Sequence, residues 1–307
     1  TIDAGLGNDA ITVAANSDAT IDGGDGTDKV TIGNADYSDD DFLLKNIEEM
    51  VLDGTTTFTA GQFANDNTFE LSGAQTLKIV AAAAGSTIDA SNLTFDVNAV
   101  GNLDIDGAAG EDTLTGSDVV DVIQGEGAND VINSGAGSDT VGGGVGFDTI
   151  TTGLGTDIIK YVTGTGNVDT ITDFTTGTDT LHTTFATTKS TGASAVVTSA
   201  GVNTGAALAI NTGVSDVQQV TGVTLSQADS ADEQKVIDAI SNGTITVTGA
   251  SNKVLLSVVT STNTYLYEVT ASGNNTGITA ADDAIVLVGI FTNGVTFATN
   301  DIDEATA

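Results

Sequence analysis

The sequence predicts an all-β fold: a right-handed parallel β-solenoid followed by a small mixed C-terminal module. Three observations predict it. Aspartates recur every nine residues, at Asp112, Asp121, Asp130, Asp139, Asp148 and Asp157. An aliphatic residue follows each by two positions: Leu114, Ile123, Ile132, Val141, Ile150 and Ile159. Glycine crowds the positions before it, as in Gly143-Gly144-Val145-Gly146-Phe147-Asp148. A period of nine fits neither the ~3.6 of a helix nor the ~2 of a simple strand, so it belongs to a repeating turn-plus-strand unit.

The spelling of the unit follows from its geometry. Glycines allow the backbone angles of a tight turn, and a short strand points its central aliphatic side chain inward. Two units complete one coil, so aspartates eighteen apart stack on one edge: Asp112, Asp130 and Asp148 on one side, Asp121, Asp139 and Asp157 on the other. Neighbouring coils lie about 4.8 Å apart. Stacked carboxylates and glycine carbonyls then converge on one space, which suits a hard dication with six to eight oxygen ligands at about 2.4 Å; that describes Ca²⁺ before Mg²⁺.

These residues resemble the repeats-in-toxin (RTX) repeat, G-G-x-G-x-D-x-U-x with U aliphatic, of calcium-binding proteins exported by type I secretion. Residues 143–151 match in full, while 134–142 and 152–160 each lose only the first glycine. Residues 107–115 have Ala108 at the second glycine and keep Gly110. The turns before Asp121 (Gly116-Ser117-Asp118-Val119-Val120) and Asp130 (Gly125-Glu126-Gly127-Ala128-Asn129) depart further. The resemblance implies several bound Ca²⁺ ions, with the array aspartates as ligands and Gly135, Gly137, Gly143, Gly144, Gly146, Gly153 and Gly155 supplying carbonyls.

Residues 1–32 carry the same repeat: one unit holds Asp9, a degenerate one lies around Asp18, and Gly23-Gly24-Asp25-Gly26-Thr27-Asp28 is a full turn. Asp9 and Asp28, nineteen apart, join the expected ligands, the extra residue making a bulge near Asp18. Thr1-Ile2-Asp3 reads as the tail of a repeat, as in a C-terminal fragment of a longer protein. Over 33–106 the period of nine is lost. Alternating aliphatics in Asn46–Leu52, Gln75–Val80 and Asn102–Asp106 recur at about 25 residues and predict a broader, irregular solenoid. That segment resembles the irregular solenoid between RTX repeats in bacterial surface-layer (S-layer) proteins.

Residues 107–181 form the regular roll and its closing cap. Asp169-Thr170-Ile171-Thr172-Asp173-Phe174 with Gly177 and Asp179 is similar to the segment that follows RTX arrays. Phe174 is expected to plug the roll's end. Asp169, Asp173 and Asp179 either supply a terminal calcium or make a purely structural turn. Residues 182–307 read as a separate module. It has a capping box at Ser230-Ala231-Asp232-Glu233, a helix through Val236, Ile237 and Ile240 to Asn242-Gly243, a hairpin of 253–260 with 263–270, and a second hairpin in which 284–291 and 295–297 flank Asn293-Gly294. In position and texture it is similar to the C-terminal ends of type I secretion substrates, which carry an uncleaved signal.

The formal net charge of −35, with 42 acidic residues and no arginine, excludes nucleic acid as a partner, since phosphates demand Lys and Arg. With 39% hydrophobic residues and abundant Val, Ile and Thr, the acidity points to metal-dependent order rather than disorder. There is no cysteine or proline, and no stretch reaches the ~18 apolar residues of a membrane span. His182 is the single histidine and lacks partners for a triad or zinc site. Asp39-Asp40-Asp41 and Glu48-Glu49 read as solvated charge, Gly125-Glu126-Gly127 leads to no phosphate loop, and Asn92-Leu93-Thr94, a glycosylation acceptor pattern, carries no message in a chain that resembles bacterial proteins. No catalytic residue is expected. The resemblance implies a secreted, calcium-dependent surface-layer or cell-surface matrix protein that self-assembles into a lattice or filament, with cell-surface polysaccharide as a further partner. The alternative is the C-terminal folding and export module of a secreted protease or lipase, or of a large adhesin.

Overall fold

The computed structural model describes residues 1–13, 20–36, 43–47, 49–59, 70–72, 76–81, 85–91, 94–95, 103–161, 167–183, 196–200, 208–211, 217–221, 230–231, 235–236, 245–248, 253–270, 284–297 and 302–304. They divide into two compact units, Thr1–Val145 with Thr151–Asp157, and Gly146–Ile150 with Ile158–Ala307.

The first unit is a parallel β-solenoid. Its main sheet runs through Ala10–Val13, Lys29–Asp36, Glu49–Thr59, Leu77–Val80, Leu103–Ala108, Asp121–Glu126 and Thr140–Gly142, every neighbour parallel. A second stack holds Thr87–Asp89, Thr113–Thr115 and Val131–Asn133. A third holds Ile2–Asp3, Thr20–Asp22 and Leu43–Lys45. The coil is 18 residues where Leu103 registers on Asp121 and widens to 26 where Leu77 registers on Leu103.

In each short strand only the central side chain is inside, as in Thr113–Thr115 and Val131–Asn133. The parallel register therefore stacks like on like: Phe58, Ile79, Ile105, Ile123 and Val141 in one column, Ile88, Leu114 and Ile132 in another, all buried. Each such side chain removed from water contributes about 1.5–3 kcal/mol. The irregular solenoid differs from its expected spacing in one respect. Glu49–Thr59 pairs at its start with Lys29–Asp36 and Glu70–Ser72 and at its end with Leu77–Val80. It is Phe58, rather than Met50 or Leu52, that registers on Ile79, because an eleven-residue strand spans more than one coil's register.

In the second unit, Ile158–Tyr161 pairs with Thr180–Thr183, which pairs with Ile302–Glu304, all parallel. Thr149 and Ile150 register on Thr170 and Ile171, and Asp169–Ile171 pairs in parallel with Ala284–Thr292. The sheet then turns mixed. Ala284–Thr292 is antiparallel to Asn263–Thr270, which is antiparallel to Lys253–Val259; Val217–Thr221 and Val196–Ala200 follow in parallel. Leu208–Asn211 pairs separately with Ile245–Thr248.

The hairpin of Lys253–Val259 with Asn263–Thr270 forms as expected, closed by the Thr260 amide and hydroxyl on the Asn263 carbonyl at 2.9 and 2.8 Å. The second hairpin does not. Asn293 and Gly294 take the left-handed turn (φ 67° and 63°), yet residues 295–297 form no strand. The Thr264 hydroxyl donates to the Val295 carbonyl at 2.5 Å and the Thr176 hydroxyl to the Thr296 carbonyl at 2.9 Å. Side chains thus take carbonyls that a ladder would have used. Phe297 instead meets Phe174 and Phe291 edge-on at 5.5 and 5.0 Å, with Phe174 and Phe291 5.4 Å apart. The expected plug Phe174 is therefore buried against Phe291 of the Ala284–Thr292 strand and Phe297 beyond it. Of the expected helix, Lys235–Val236 is helical and Val236 is buried. Asp232, Glu233, Ile237, Ile240 and Asn242-Gly243 lie outside the described residues, as do Asp18, Asp39-Asp40-Asp41, Glu48 and Asn92-Leu93.

Candidate metal centre

Most of the six-residue turns ahead of the aspartates share a backbone. Their second and fourth residues take positive φ: Gly5 and Gly7, Gly24 and Gly26, Gly135 and Gly137, Gly144 and Gly146, Gly153 and Gly155. Glu126 (φ 73°) and Ala128 (φ 77°) do the same without being glycine. The two turns whose spelling departs furthest therefore part company: 125–130 keeps the backbone and 116–121 loses it. The turn 107–112 loses it too, since neither Ala108 nor Gly110 has positive φ.

The aspartates close a ladder along the coils. Each amide donates to the carboxylate one coil on: Asp9 to Asp28 at 2.8 Å, Asp112 to Asp130 at 2.8 Å, Asp121 to Asp139 at 2.9 Å, and Asp139 to Asp157 at 2.9 Å. In the second unit Asp148 donates to Asp169 at 3.2 Å, so Asp169 continues the ladder through a longer coil. Asp179 stands one residue ahead of its strand, as Asp157 does, and accepts from the Thr175 amide at 2.7 Å. Asp28, Asp112, Asp121, Asp130, Asp139, Asp148, Asp157, Asp169 and Asp179 are all buried, whereas Asp173 is partly exposed. Asp169, Asp173 and Asp179 do not converge. Among the described residues no three His, Cys, Asp or Glu side chains gather where they could hold an ion, so a site here must combine paired carboxylates with backbone carbonyls.

The glycines show where those oxygens meet. A Cβ on Gly125 would collide with Asp130 Oδ2 and the Gly143 carbonyl. On Gly107 it would strike the Gly125 carbonyl and touch Asp112 Oδ2, on Gly116 the Ser134 carbonyl and Asp121 Oδ2, on Gly23 the Asn46 carbonyl and Asp28 Oδ2. In these four turns the first residue thus borders a cradle formed by its own aspartate and a carbonyl of the next coil. At the fourth position a Cβ on Gly137 would meet the Val119 carbonyl and Asp139 Oδ1, and one on Gly155 the Gly137 carbonyl. The Gly135 carbonyl accepts from the Leu154 amide at 3.0 Å, which holds the turns together. Gly144, Gly146 and Gly153 serve the turns through their backbone angles.

Oxygens outnumber donors in this array. Oδ2 of Asp9 and of Asp139 is buried and accepts no hydrogen bond, an arrangement that costs about 1–3 kcal/mol, more for a charge. Burial pushes the Asp121 carboxyl up to about 7, against the hydrogen bonds from Ser117, and pushes Asp139 up to about 6, against the hydrogen bond from the Asp121 amide. A hard dication satisfies such oxygens where a proton or water would do so less completely. The donor set, carboxylates and carbonyls with no nitrogen or sulfur, fits Ca²⁺.

Residues 106–141 and 141–161 match the model of the RTX calcium-binding nonapeptide repeat (4 copies). These coils form an RTX-type β-roll. A comparison with curated proteins gives no match. The RTX repeat family binds Ca²⁺, and the buried aspartate ladder fits calcium-binding turns. An RTX roll is a structural, calcium-binding element.

Sequence reasoning missed three buried hydroxyls in the RTX turns, Ser117, Ser134 and Thr152. Ser117 Oγ bonds Asp121 Oδ1 at 2.9 Å, and Ser134 Oγ donates to the Thr152 carbonyl at 2.7 Å. A hydroxyl written where the repeat expects glycine was the available signal. Tyr161 was missed as well: its buried hydroxyl donates to the Asn167 carbonyl at 2.8 Å, closing the strand's exit. His182 is partly exposed and registers between Lys160 and Asp303.

Proposed function

We propose that this chain is an extracellular structural protein whose RTX roll is folded and stiffened by Ca²⁺, exported by type I secretion, and assembled with copies of itself into a surface layer or cell-surface matrix. The observation that carries the reading is the main sheet from Ala10–Val13 to Thr140–Gly142, which passes through wide coils and RTX coils in one parallel ladder. A short folding tail has no need of the wide coils; a rigid rod does. Ca²⁺ neutralises the carboxylate columns, and a net charge of −35 leaves further acidic surface for cation-mediated contacts between copies. In a calcium-poor cell the columns repel and the chain stays export-competent; outside, ion binding and the folding of the calcium-bearing coils are one event. Among the described residues no helix is long and apolar enough to cross a membrane.

The test is Ca²⁺ titration of chelator-treated protein, followed by circular dichroism and light scattering. A sharp rise in β signal followed by large assemblies is the expected result. A rise in β signal with the protein remaining monomeric would turn the reading toward the folding and export module of a secreted enzyme. No response of either signal to Ca²⁺ would overturn the metal-folded roll itself.

A further inference from the structure

Building on the calcium-folded roll, we infer that the first two aspartates of the regular array, Asp112 and Asp121, are hydrogen-bonded struts that hold the head of the roll together without the ion, and that on its edge the calcium array begins at Asp139.

Asp112 and Asp121 have all their carboxylate oxygens engaged. Asp112 Oδ1 accepts from the Ser86 amide at 2.5 Å and Oδ2 from the Ala108 amide at 2.8 Å. Asp121 Oδ2 accepts from the Ser117 amide at 2.6 Å, and the Ser117 hydroxyl reaches Oδ1 at 2.9 Å and Oδ2 at 3.2 Å. Asp139 is equally buried, yet its Oδ2 accepts nothing. Protein donors do at Asp121 what an ion is left to do at Asp139.

The backbone separates the same residues independently. The turns 134–139 and 152–157 carry the left-handed pair at Gly135 and Gly137 and at Gly153 and Gly155, whereas 107–112 and 116–121 lack it. Changing φ at those positions rotates the intervening peptide planes, so the carbonyls of the first two turns do not repeat the directions of the later ones.

The register adds a third difference. One coil back from Asp121 stands Leu103, fully buried, and the Thr113–Thr87 pairing sets Asp112 over Ser86. Each strut thus faces an apolar or hydroxyl residue on its N-terminal side, where the later aspartates face another carboxylate. The roll's first coil meets the wide coils through hydrogen bonds and aliphatic contact, and this seam gives the later coils a folded template before any ion arrives.

Two measurements on the full chain test this. In hydrogen exchange with chelator present, the Ser86, Ala108 and Ser117 amides should stay protected while amides of 135–139 and 153–157 exchange at least tenfold faster; Ca²⁺ should protect both sets. In calorimetric Ca²⁺ titration, Asp139→Asn should lose one bound ion and Asp121→Asn none. Should Asp121→Asn fail to fold, Ser117→Ala takes its place, with unchanged ion count and weakened chelator-state protection expected. Equal loss of an ion in Asp121→Asn and Asp139→Asn, or exchange of the Ser117 amide in chelator as fast as that of 135–139, would overturn the inference. A wild-type chain that takes up no calcium would overturn the reading beneath it instead.

Discussion

Replacing Glu126 and Ala128 by glycine should stabilise the roll. Both hold positive φ, 73° and 77°, where a side chain costs about 1–2 kcal/mol per residue. At the Ala128 position the glycines of other turns sit between 114° and 157°, territory that only glycine occupies comfortably, so glycine there is also free to relax toward their geometry. Glycine gives back about 0.5–1 kcal/mol through the freedom of the unfolded chain. The net gain is then about 0.5–1 kcal/mol per site. Glu126 is exposed and Ala128 partly so, hence little packing is lost. A gain of 1 kcal/mol raises Tm by roughly 2–4 °C in a domain of 150–250 residues, so the double variant should gain a few degrees in saturating Ca²⁺. Thermal unfolding by circular dichroism measures it. Ala136→Gly is the control: Ala136 does not take positive φ, and glycine there should lower Tm. If Ala128→Gly lowers Tm as Ala136→Gly does, the strain assigned to the 125–130 turn is absent and the reasoning from φ fails.

Three further predictions follow from the same geometry. Ile123→Ala empties a fully buried position between Ile105 and Val141 and should cost about 2–5 kcal/mol, read from denaturant unfolding in Ca²⁺; a loss under about 1 kcal/mol would mean that the column repacks. Gly144→Ala puts a Cβ into the Glu126 carbonyl at φ 98° and should cost more than the ~1–2 kcal/mol of the left-handed conformation alone; a thermal shift near zero would deny that close approach. Without metal, acid should partly substitute for calcium. The folded-state values of Asp121 and Asp139 are raised to about 7 and about 6 from 3.8, so the folded chain binds protons more tightly than the unfolded one. Their contribution is full below pH 3.8 and is lost as pH rises through about 6 to 7. Chelator-treated protein should therefore melt higher at pH 5 than at pH 8, and the opposite order would contradict the burial of these carboxyls.

How far the chain could be read depended on what repeats. A period of nine fixes which side chains face inward, and Leu114, Ile123, Ile132, Val141, Ile150 and Ile159 are all buried as their spacing required. Turn chemistry was only half legible. Gly125-Glu126-Gly127-Ala128 and Gly116-Ser117-Asp118-Val119 look equally degenerate, yet only the first adopts the glycine backbone. The difference comes from neighbours: the Gly127 amide donates to the Ala108 carbonyl at 3.1 Å and the Val145 amide to the Glu126 carbonyl at 2.9 Å. Ser117 turns inward to Asp121 instead, at 2.9 Å. Two similar strings thus take different conformations because the coils on either side choose for them. The pairing of Asp169–Ile171 with Ala284–Thr292 was out of reach, since no local signal announces a partner more than a hundred residues away.

In coils longer than eighteen residues something besides the turn length must set the register, and two of the chain's seven lysines stand there. Lys29 registers on Glu49 and pairs with it at 2.5 Å. Lys78 registers on Asp104, pairs with it at 3.3 Å, and also pairs with Asp106 two residues on. Such partly exposed pairs contribute only about 0–1 kcal/mol each, too little to hold a coil against the entropy of its residues. Their effect is on choice rather than strength. A slip of one residue would put aliphatics outside and leave each lysine facing the wrong neighbour, and in coils of 20 to 26 residues no fixed turn length forbids that slip. In the RTX coils the turn length forbids it already, and the carboxylates are left for the ion. Lys29 and Lys78 thus help to choose the register of the longer coils, while the stacked carboxylates of the RTX coils are left for the ion.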